Sequence, residues 1–308
     1  MMNSQSKAAE QVRESSRQIV RELGFLKNIY ADTDTTHSEC HALLELYQNG
    51  ILEVLELGTK LKLDKSTTSR LVTKLKRRGW LKNKSGKEDL RKRPFALTES
   101  GKKKVLQINT LADAQVLSAL KLLAPEEQAQ VIQGFNLYAK ALKRTKQQQG
   151  FKLRPVAPSD DAAVANLVKE TMTEFGSSGE GFALHDKELE SMSAAYGGAR
   201  AEYLVVTKHN KVVGGAGFAR LKGAKPHICE LRKNYLFPEA RGKGIGDKLL
   251  TECIKRAKAA GYKYCYLETS CRMVQAQGLY KKHGFTQLDQ PLGNTGHFGC
   301  DMWFGREL

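Results

Sequence analysis

The sequence predicts two domains, a helix-rich domain with a small β element followed by an α/β domain. The chain has 308 residues, enough for two domains of ordinary size. Apolar residues recur at helical spacing in the first half, whereas short β-type runs alternate with helical ones in the second. The polar, low-complexity stretch KRTKQQQG lies between them. We therefore expect a first domain over 1–146, a linker over 147–151 and a second domain over 152–308.

The composition narrows the class of protein. Hydrophobic residues make up 41% and charged residues 27%, as in soluble globular proteins. A run of eighteen apolar residues and a signal-peptide pattern are both missing from the sequence, which predicts a cytoplasmic protein with no membrane partner. The six cysteines include no C-x-x-C pair, so we expect reduced thiols and no metal site.

The net charge of +17 is concentrated in one region. Lys60 to Lys104 contains 17 basic and 4 acidic residues, a local net charge of +13. Such a patch suggests a polyanion as partner. A solvated basic face would have the same composition, so charge alone does not decide between the two.

Helical spacing predicts most elements of the first half. The predicted helices cover 8–30, the stretch from a cap at Thr36 or Ser38 to Asn49, 51–61, 99–122, and the stretch that begins at Pro125. A further helix is predicted within 63–79, LDKSTTSRLVTKLKRRG, where Asp64 or Ser66 provides the cap and Gly79 the end. Hydroxyl and basic side chains on its outer face suit insertion into a DNA major groove. The candidate DNA-binding residues are Lys65, Ser66, Thr67, Thr68, Arg70 and Lys74.

The segment from Lys82 to Thr98 predicts a two-stranded hairpin with a basic tip. Together with 63–79 it resembles the winged helix-turn-helix of the MarR family of transcription regulators, whose Asp-x-Arg wing motif corresponds to Asp89 and Arg91. The resemblance implies binding to double-stranded DNA, with Arg91 or Arg93 reaching the minor groove. It also implies a homodimer through the first and last helices. Leu137, Tyr138 and Leu142 could serve that interface, although amphipathic helices of a monomer would look the same.

The second half alternates strands and helices. Predicted strands are 151–156, 203–207, 212–219, 229–237, 264–269, 286–288 and 301–304, and predicted helices are 159–173, a segment from Lys187, 247–260 and 273–283. The strand-to-helix junction at 241–246 reads R-G-K-G-I-G. Glycines there let backbone N–H groups approach an anion at a helix N-terminus. An ordinary tight turn is the alternative, and neither a Rossmann fingerprint nor a P-loop matches.

The glycine loop resembles the acetyl-CoA loop of the GNAT family of N-acetyltransferases. A second motif, L-E-T at 267–269 with A-x-x-L-Y-x-x-x-G-F at 276–285, resembles another segment of that family. The resemblance implies a GNAT α/β fold with a mixed, mostly antiparallel sheet and acetyl-CoA as co-substrate. It assigns cofactor binding to Asn234, Tyr235, Leu236, Phe237, Arg241, Gly242, Lys243, Gly244, Ile245, Gly246 and Tyr280.

Three residues are candidates for catalysis or acceptor binding. Tyr280 occupies the family's position for the acid that protonates the coenzyme A sulfur, and a core tyrosine is the plainer alternative. Glu230 is a candidate general base, but it could equally bind a cationic acceptor or pair with Arg232. His297, in a glycine-rich loop, is a candidate for the acceptor pocket.

These resemblances predict a DNA-binding transcription regulator that is also an N-acetyltransferase. Its expected acceptor is a primary amine, with a small molecule or amino acid favoured over a protein. A regulator whose GNAT domain only senses acyl-CoA or a ligand is one alternative, and a protein lysine acetyltransferase held on DNA is another. The sequence does not name the acceptor or the operator.

Overall fold

We describe a computed structural model of the chain, covering residues 4–30, 33–84, 94–177 and 179–308. The chain divides into two compact units, Met1–Gln133 and Gly134–Leu308. Helix α6 ends at Gln147, and the first strand of the second unit begins at Phe151. The domain limits of 146 and 152 stay a prediction, because the division lies inside this helix.

The first unit is mainly helical. Its elements are α1 Ser4–Glu22, α2 His37–Asn49, α3 Val54–Leu61, α4 Lys65–Arg77, β1 Leu81–Asn83, β2 Phe95–Leu97, α5 Glu99–Leu120 and the start of α6 Pro125–Gln147. The core is built from apolar residues of α2 to α5 and both strands. β1 and β2 pair antiparallel, which confirms the predicted hairpin. Asp89, Arg91 and Arg93 lie outside the described residues.

Two predicted helices of this unit were too long. The helix predicted over 8–30 ends at Glu22, because Gly24 adopts a left-handed φ of 74° and the chain turns. The helix predicted from 51 begins at Val54, since Leu52 instead forms a β-bridge with Phe95. Helical spacing alone did not reveal this short sheet contact.

The second unit is a seven-stranded sheet with helices on both faces. Its strands are β3 Phe151–Pro155, β4 Glu202–Lys208, β5 Lys211–Arg220, β6 Ile228–Leu236, β7 Tyr264–Thr269, β8 Thr286–Leu288 and β9 Met302–Glu307. Its helices are α7 Asp161–Glu174, α8 Met192–Ala195, α9 Ile245–Ala259 and α10 Val274–Lys282.

The strand order is β3-β4-β5-β6-β7-β9-β8, and every neighbouring pair is antiparallel except β6 and β7. The prediction of a mixed, mostly antiparallel sheet is therefore confirmed. The helix predicted from Lys187 is only a 3₁₀ turn, Lys187–Glu190, followed by the four-residue α8. Among the described residues, a helix long and apolar enough to cross a membrane is not found.

Candidate active site

An opening in the sheet forms where β6 and β7 stop pairing. Ile228–Glu230 pairs in parallel with Tyr264–Tyr266, whereas β6 continues to Leu236 alongside β5. The register between β5 and β6 shifts near Gly215, and Lys233 on the bulged strand has a φ of 48°. Such bulges bend a strand and turn its pairing edge. In the described sheet, the β7-facing edge of β6 beyond the paired residues has no strand partner, so its main-chain groups are available to a ligand.

A cleft of about 660 Å³ adjoins this opening. It is lined by Asn234, Tyr235 and Leu236 from β6, by Arg241, Gly242, Gly244 and Gly246 from the loop, and by residues of α6, α7 and α10. The glycine loop leads directly into α9, which begins at Ile245. The first-turn N–H groups of a helix are free of intrahelical partners and favour an anion. The free edge of β6 and the N-terminus of α9 thus meet in one cleft. Binding of a pantetheine arm and of a pyrophosphate requires both of these features.

Some predicted cofactor residues have side chains directed elsewhere. Phe237 and Ile245 pack in the hydrophobic core, and Ile245 is buried. The Lys243 ammonium donates to the Glu239 carbonyl. The Arg241 guanidinium forms a bidentate pair with Glu174, at 2.5 and 2.7 Å. Neither loop cation is therefore directed freely at the helix N-terminus.

Tyr280 lies on α10 and lines a smaller cavity, which shares Asn234, Tyr235 and Met273 with the cleft. It is buried, and its hydroxyl accepts a hydrogen bond of 3.4 Å from Asn234 Nδ2. Burial raises the pKa of Tyr280 to about 12. The hydroxyl therefore keeps its proton at neutral pH. The small cavity, about 40 Å³, is lined by Tyr280, Glu268, Lys233 and Cys300 among others.

Glu230 lies on β6 next to the point where β6 and β7 separate. It is 2% exposed, and its Oε2 accepts a hydrogen bond of 2.7 Å from Arg232 Nε. Burial raises its pKa, and the Arg232 cation offsets this only in part. Glu230 thus forms the pair with Arg232, which was one of its three alternative roles. The other oxygen, Oε1, lies 4.0 Å from His297 Nδ1, so the structure brings two predicted site residues together.

His297 is held between carboxylates. Its Nε2 lies 3.0 Å from Asp186 Oδ1, and its Nδ1 lies 3.8 Å from Glu268 Oε2. Burial acts to lower the pKa of His297, but the Asp186 carboxylate outweighs it and the net shift is upward. Glu268 also accepts hydrogen bonds from Tyr266 (2.7 Å) and Thr295 (2.9 Å).

A buried ion network continues behind this histidine. The Lys233 side chain is 1% exposed and contacts Asp186 at 2.5 Å and Glu188. Arg232 Nη1 lies 3.4 Å from Glu188, and the Tyr196 hydroxyl donates to the same carboxylate at 3.0 Å. His297 and Lys233 lower the pKa of Asp186, although burial alone would raise it. Together with Glu230 and Glu268, the network contains four carboxylates and two permanent cations.

Comparison with known proteins assigns both units. The acetyltransferase (GNAT) family profile matches residues 162–285, and the MarR family profile matches residues 35–92. The uncharacterized N-acetyltransferase YjgM of Escherichia coli K12 is 36% identical over 157 residues, which cover 51% of this chain and 94% of that relative. The chain belongs to the acetyltransferase (GNAT) family. It is an N-acetyltransferase that uses acetyl-CoA, preceded by a MarR-family domain.

Two further relatives match one unit each. The uncharacterized HTH-type transcriptional regulator YfiV of Bacillus subtilis 168 is 28% identical over 115 residues, which cover 37% of this chain and 72% of that relative. Among solved structures, a GNAT acetyltransferase from Staphylococcus aureus Mu50 has a TM-score of 0.46 at 20% identity, covering 51% of this chain and 98% of that one.

The MarR-family domain exposes most of the predicted DNA-binding residues on α4. Lys65, Ser66, Arg70 and Lys74 are exposed and Thr67 is half-buried. Asp64 caps the helix, with its Oδ1 accepting from the Thr67 N–H at 2.9 Å. Lys74 also lies 3.1 Å from the buried Glu39 of α2, so it anchors the helix as well as displaying charge.

The outward placement predicted for Thr68 is wrong. Thr68 is fully buried, and its hydroxyl donates to the Asp64 carbonyl at 2.8 Å. An added Cβ on Gly58 of α3 would lie 2.9 Å from Thr68 Oγ1, so the two helices meet at this point. A threonine fits there because its hydroxyl bonds to its own helix. The sequence contains four hydroxyl residues in a row, Ser66 to Ser69, and no sign of which one faces inward.

The GNAT unit contains site residues that the sequence motifs did not reveal. Asp186, Glu188 and Glu268 complete the ion network, and Arg144, Arg272 and Lys282 line the cofactor cleft. Asp186 and Glu188 lie at the start of the 3₁₀ turn Lys187–Glu190, a segment with no motif of its own. The one available signal was Arg232–Lys233 in a strand that is otherwise half-apolar, since buried cations require carboxylate partners. A cluster of three or more potential metal ligands was not found in the described ranges.

Proposed function

We propose that the protein is a DNA-binding regulator that also acetylates a small primary amine with acetyl-CoA. The observation that carries the enzymatic half is the excess of carboxylates beside the cofactor cleft. The ion network that includes Glu230, Glu268 and His297 contains two more carboxylates than permanent cations. A buried excess of negative charge favours a cationic ligand, and an alkylammonium group has that charge.

The residues present fit acetyl-CoA. The unpartnered edge of β6 supplies main-chain groups for an extended pantetheine arm, and the first turn of α9 supplies N–H groups for a pyrophosphate. When bound, acetyl-CoA supplies an activated thioester. Gly242 and Gly244, with φ of 69° and 74°, shape the loop around that helix end.

The chemistry requires a deprotonated amine and a proton donor. Glu230 accepts the ammonium proton in this proposal, and burial raises its pKa, which makes the carboxylate a stronger base. Glu230 Oε1, the carboxylate oxygen that does not bond to Arg232, lies 4.0 Å from His297 Nδ1 and takes the proton in this proposal. Tyr280 donates its proton toward the leaving sulfur, and Asn234 orients its hydroxyl.

The experiment for this half measures release of free thiol. Purified protein is mixed with acetyl-CoA and a panel of small amines, amino acids and lysine peptides. We expect turnover on a small amine and a loss of roughly 10²–10⁴-fold in Tyr280→Phe, in the range of lost general acid catalysis. Turnover only on lysine peptides would favour the protein acetyltransferase. Thiol release that is no faster in the unchanged protein than in Tyr280→Phe, on every amine of the panel, would favour the sensor.

The regulatory half of the proposal rests on α4 and on unpaired apolar helix faces. Exposed apolar side chains follow α5 and α6, and they include Leu106, Leu117, Phe135, Leu137, Tyr138 and Leu142. Exposed apolar residues in such number on two long helices are typical of an interface. We propose a homodimer that presents two α4 helices to successive major grooves of a pseudo-palindromic operator. Sedimentation with and without operator DNA tests the assembly.

A further inference from the structure

We propose that the last turns of α6 belong to the acetyl-CoA site, where Arg144 binds the pyrophosphate and Gln148 positions the glycine loop. Both residues lie in the unit Gly134–Leu308. The inference rests on acetyl-CoA occupying the cleft described above. It adds a cofactor-binding element upstream of both GNAT sequence motifs and of the region matched by the family profile, 162–285.

Gln148 is bonded directly to the loop. Its Nε2 donates to the carbonyl of Lys243 and to the carbonyl of Gly244, each at 3.2 Å. In a trans peptide the carbonyl and the following N–H point in opposite directions. Fixing these two carbonyls therefore turns the N–H groups of Gly244 and Ile245 away from Gln148 and fixes their orientation at the helix start.

Arg144 lies against the same loop. An added Cβ on Gly244 would lie 2.5 Å from Arg144 Nε, which together with the φ of 74° explains the glycine at this position. Arg144 lines the cofactor cleft, and its side chain is 51% exposed. Within the described structure its ion pair is to Asp247 at 3.4 Å, which leaves most of its five N–H donors available.

The loop's own cations are already committed, which is why a cation from α6 matters. Arg241 is held by Glu174, and Lys243 by the Glu239 carbonyl. Asp247, an anion within the cleft lining, is contacted by Lys282 and by His283 at 3.0 Å as well as by Arg144. Its charge is thus compensated without Arg144, so the guanidinium can pair with a phosphate.

A tight connection fixes this end of α6 to the sheet. The Gln148 N–H still donates to the Arg144 carbonyl at 2.9 Å, so both side chains lie one helical turn apart. Gly150 then adopts a φ of 85°, and Phe151 begins β3. Lys243 Nζ lies 5.6 Å from the Phe151 ring centroid. The end of α6, the start of β3 and the glycine loop therefore pack together.

Calorimetric binding of coenzyme A to the full chain tests the proposal. Arg144→Ala should weaken binding about tenfold, the size of a lost charge-assisted hydrogen bond, and Arg144→Lys should recover part of it. Gln148→Ala should weaken binding by a smaller factor. Lys143→Ala, which removes a neighbouring charge on the same helix, is the matched control and should bind like the unchanged protein.

Two truncated ligands identify the group that Arg144 contacts. Dephospho-coenzyme A keeps the pyrophosphate, so Arg144→Ala should weaken its binding by the same factor as for coenzyme A. Pantetheine lacks all phosphates. In ligand-observed NMR it should bind equally to the unchanged protein and to Arg144→Ala. Equal binding of coenzyme A by Arg144→Ala and Lys143→Ala would overturn the proposal, as would a loss confined to the ligand with the 3′-phosphate. Failure of the unchanged protein to bind coenzyme A would instead remove the cofactor assignment, and this inference with it.

Amide hydrogen exchange gives a second readout that does not depend on a variant. Coenzyme A should slow exchange at residues 141–149, because the ligand fixes Arg144 and the loop that Gln148 holds. Exchange that slows at the first turn of α9 but not at 141–149 would place α6 outside the cofactor site.

Discussion

The two units carry their functional charges in opposite ways. The MarR-family unit displays Arg70 and Lys65 on an exposed helix face, where solvent screens them. The GNAT unit buries Lys233 and Glu230 and pairs each with an opposite charge. Exposed charges can be altered with little effect on folding, whereas buried ones are coupled to stability. Binding and folding should therefore separate cleanly in the first unit and remain linked in the second.

The largest effect is expected from Glu230→Gln. The change keeps the size of the side chain and an acceptor for Arg232, but it removes the proposed base. We expect kcat/KM for the preferred amine to fall roughly 10²–10⁴-fold, with coenzyme A affinity unchanged. Glu252→Gln, which alters a carboxylate that pairs with Arg256 on α9, is the control. A fall in kcat/KM of less than threefold would show that Glu230 forms the ion pair with Arg232 but is not the base.

Loss of a buried cation should come next. Lys233→Met leaves Asp186 and Glu188 without their ammonium partner, and breaking one side of a buried ion pair typically costs about 3–5 kcal/mol. Urea denaturation measures the free energy of unfolding. Lys102→Met breaks the exposed pair with Glu99 in the other unit. The urea midpoint for unfolding of that unit should stay unchanged. If both variants unfolded at the same urea midpoint as the unchanged protein, the contrast between buried and exposed charges would be contradicted.

DNA affinity should respond to Arg70 without any change in folding. Arg70→Glu reverses the charge of an exposed side chain, whose Nη2 donates a 3.3 Å hydrogen bond to Thr67 Oγ1. We expect affinity for the operator to fall by at least about tenfold and the salt slope of log K to become shallower. Lys169→Glu, at an exposed position of α7, is the control. Unaltered binding by Arg70→Glu would exclude α4 as the recognition helix.

The same contrast explains what the sequence could predict. Features carried by local sequence patterns could be predicted. The cap at Asp64 begins α4 and the glycine loop leads into α9, as expected. The strand and helix order of the GNAT unit was predicted for the same reason. Thr68, Asp186 and Arg144 were not, because their roles depend on which distant residue packs against them. Local periodicity contains no information about partners 47 or 103 residues away.

The smallest predicted effect tests whether the buried network titrates. Asp186 raises the folded-state pKa of His297 above its usual 6.5, and Glu230, Glu268 and Lys233 also face the imidazole. A raised pKa means that the folded protein holds the proton more tightly than the unfolded chain. The stabilisation is therefore complete below pH 6.5 and is lost as the pH rises through the folded-state value.

Comparing the unchanged protein with His297→Gln isolates this contribution. The difference in the free energy of unfolding should be larger at pH 5.5 than at pH 8.5, and smaller at both than the cost of Lys233→Met. His227→Gln, which replaces an exposed histidine outside the network, is the matched control. A difference that grew with pH would mean that the folded protein favours neutral His297. The four carboxylates would then not be acting as a negative site, and the argument for a cationic acceptor would lose its electrostatic support.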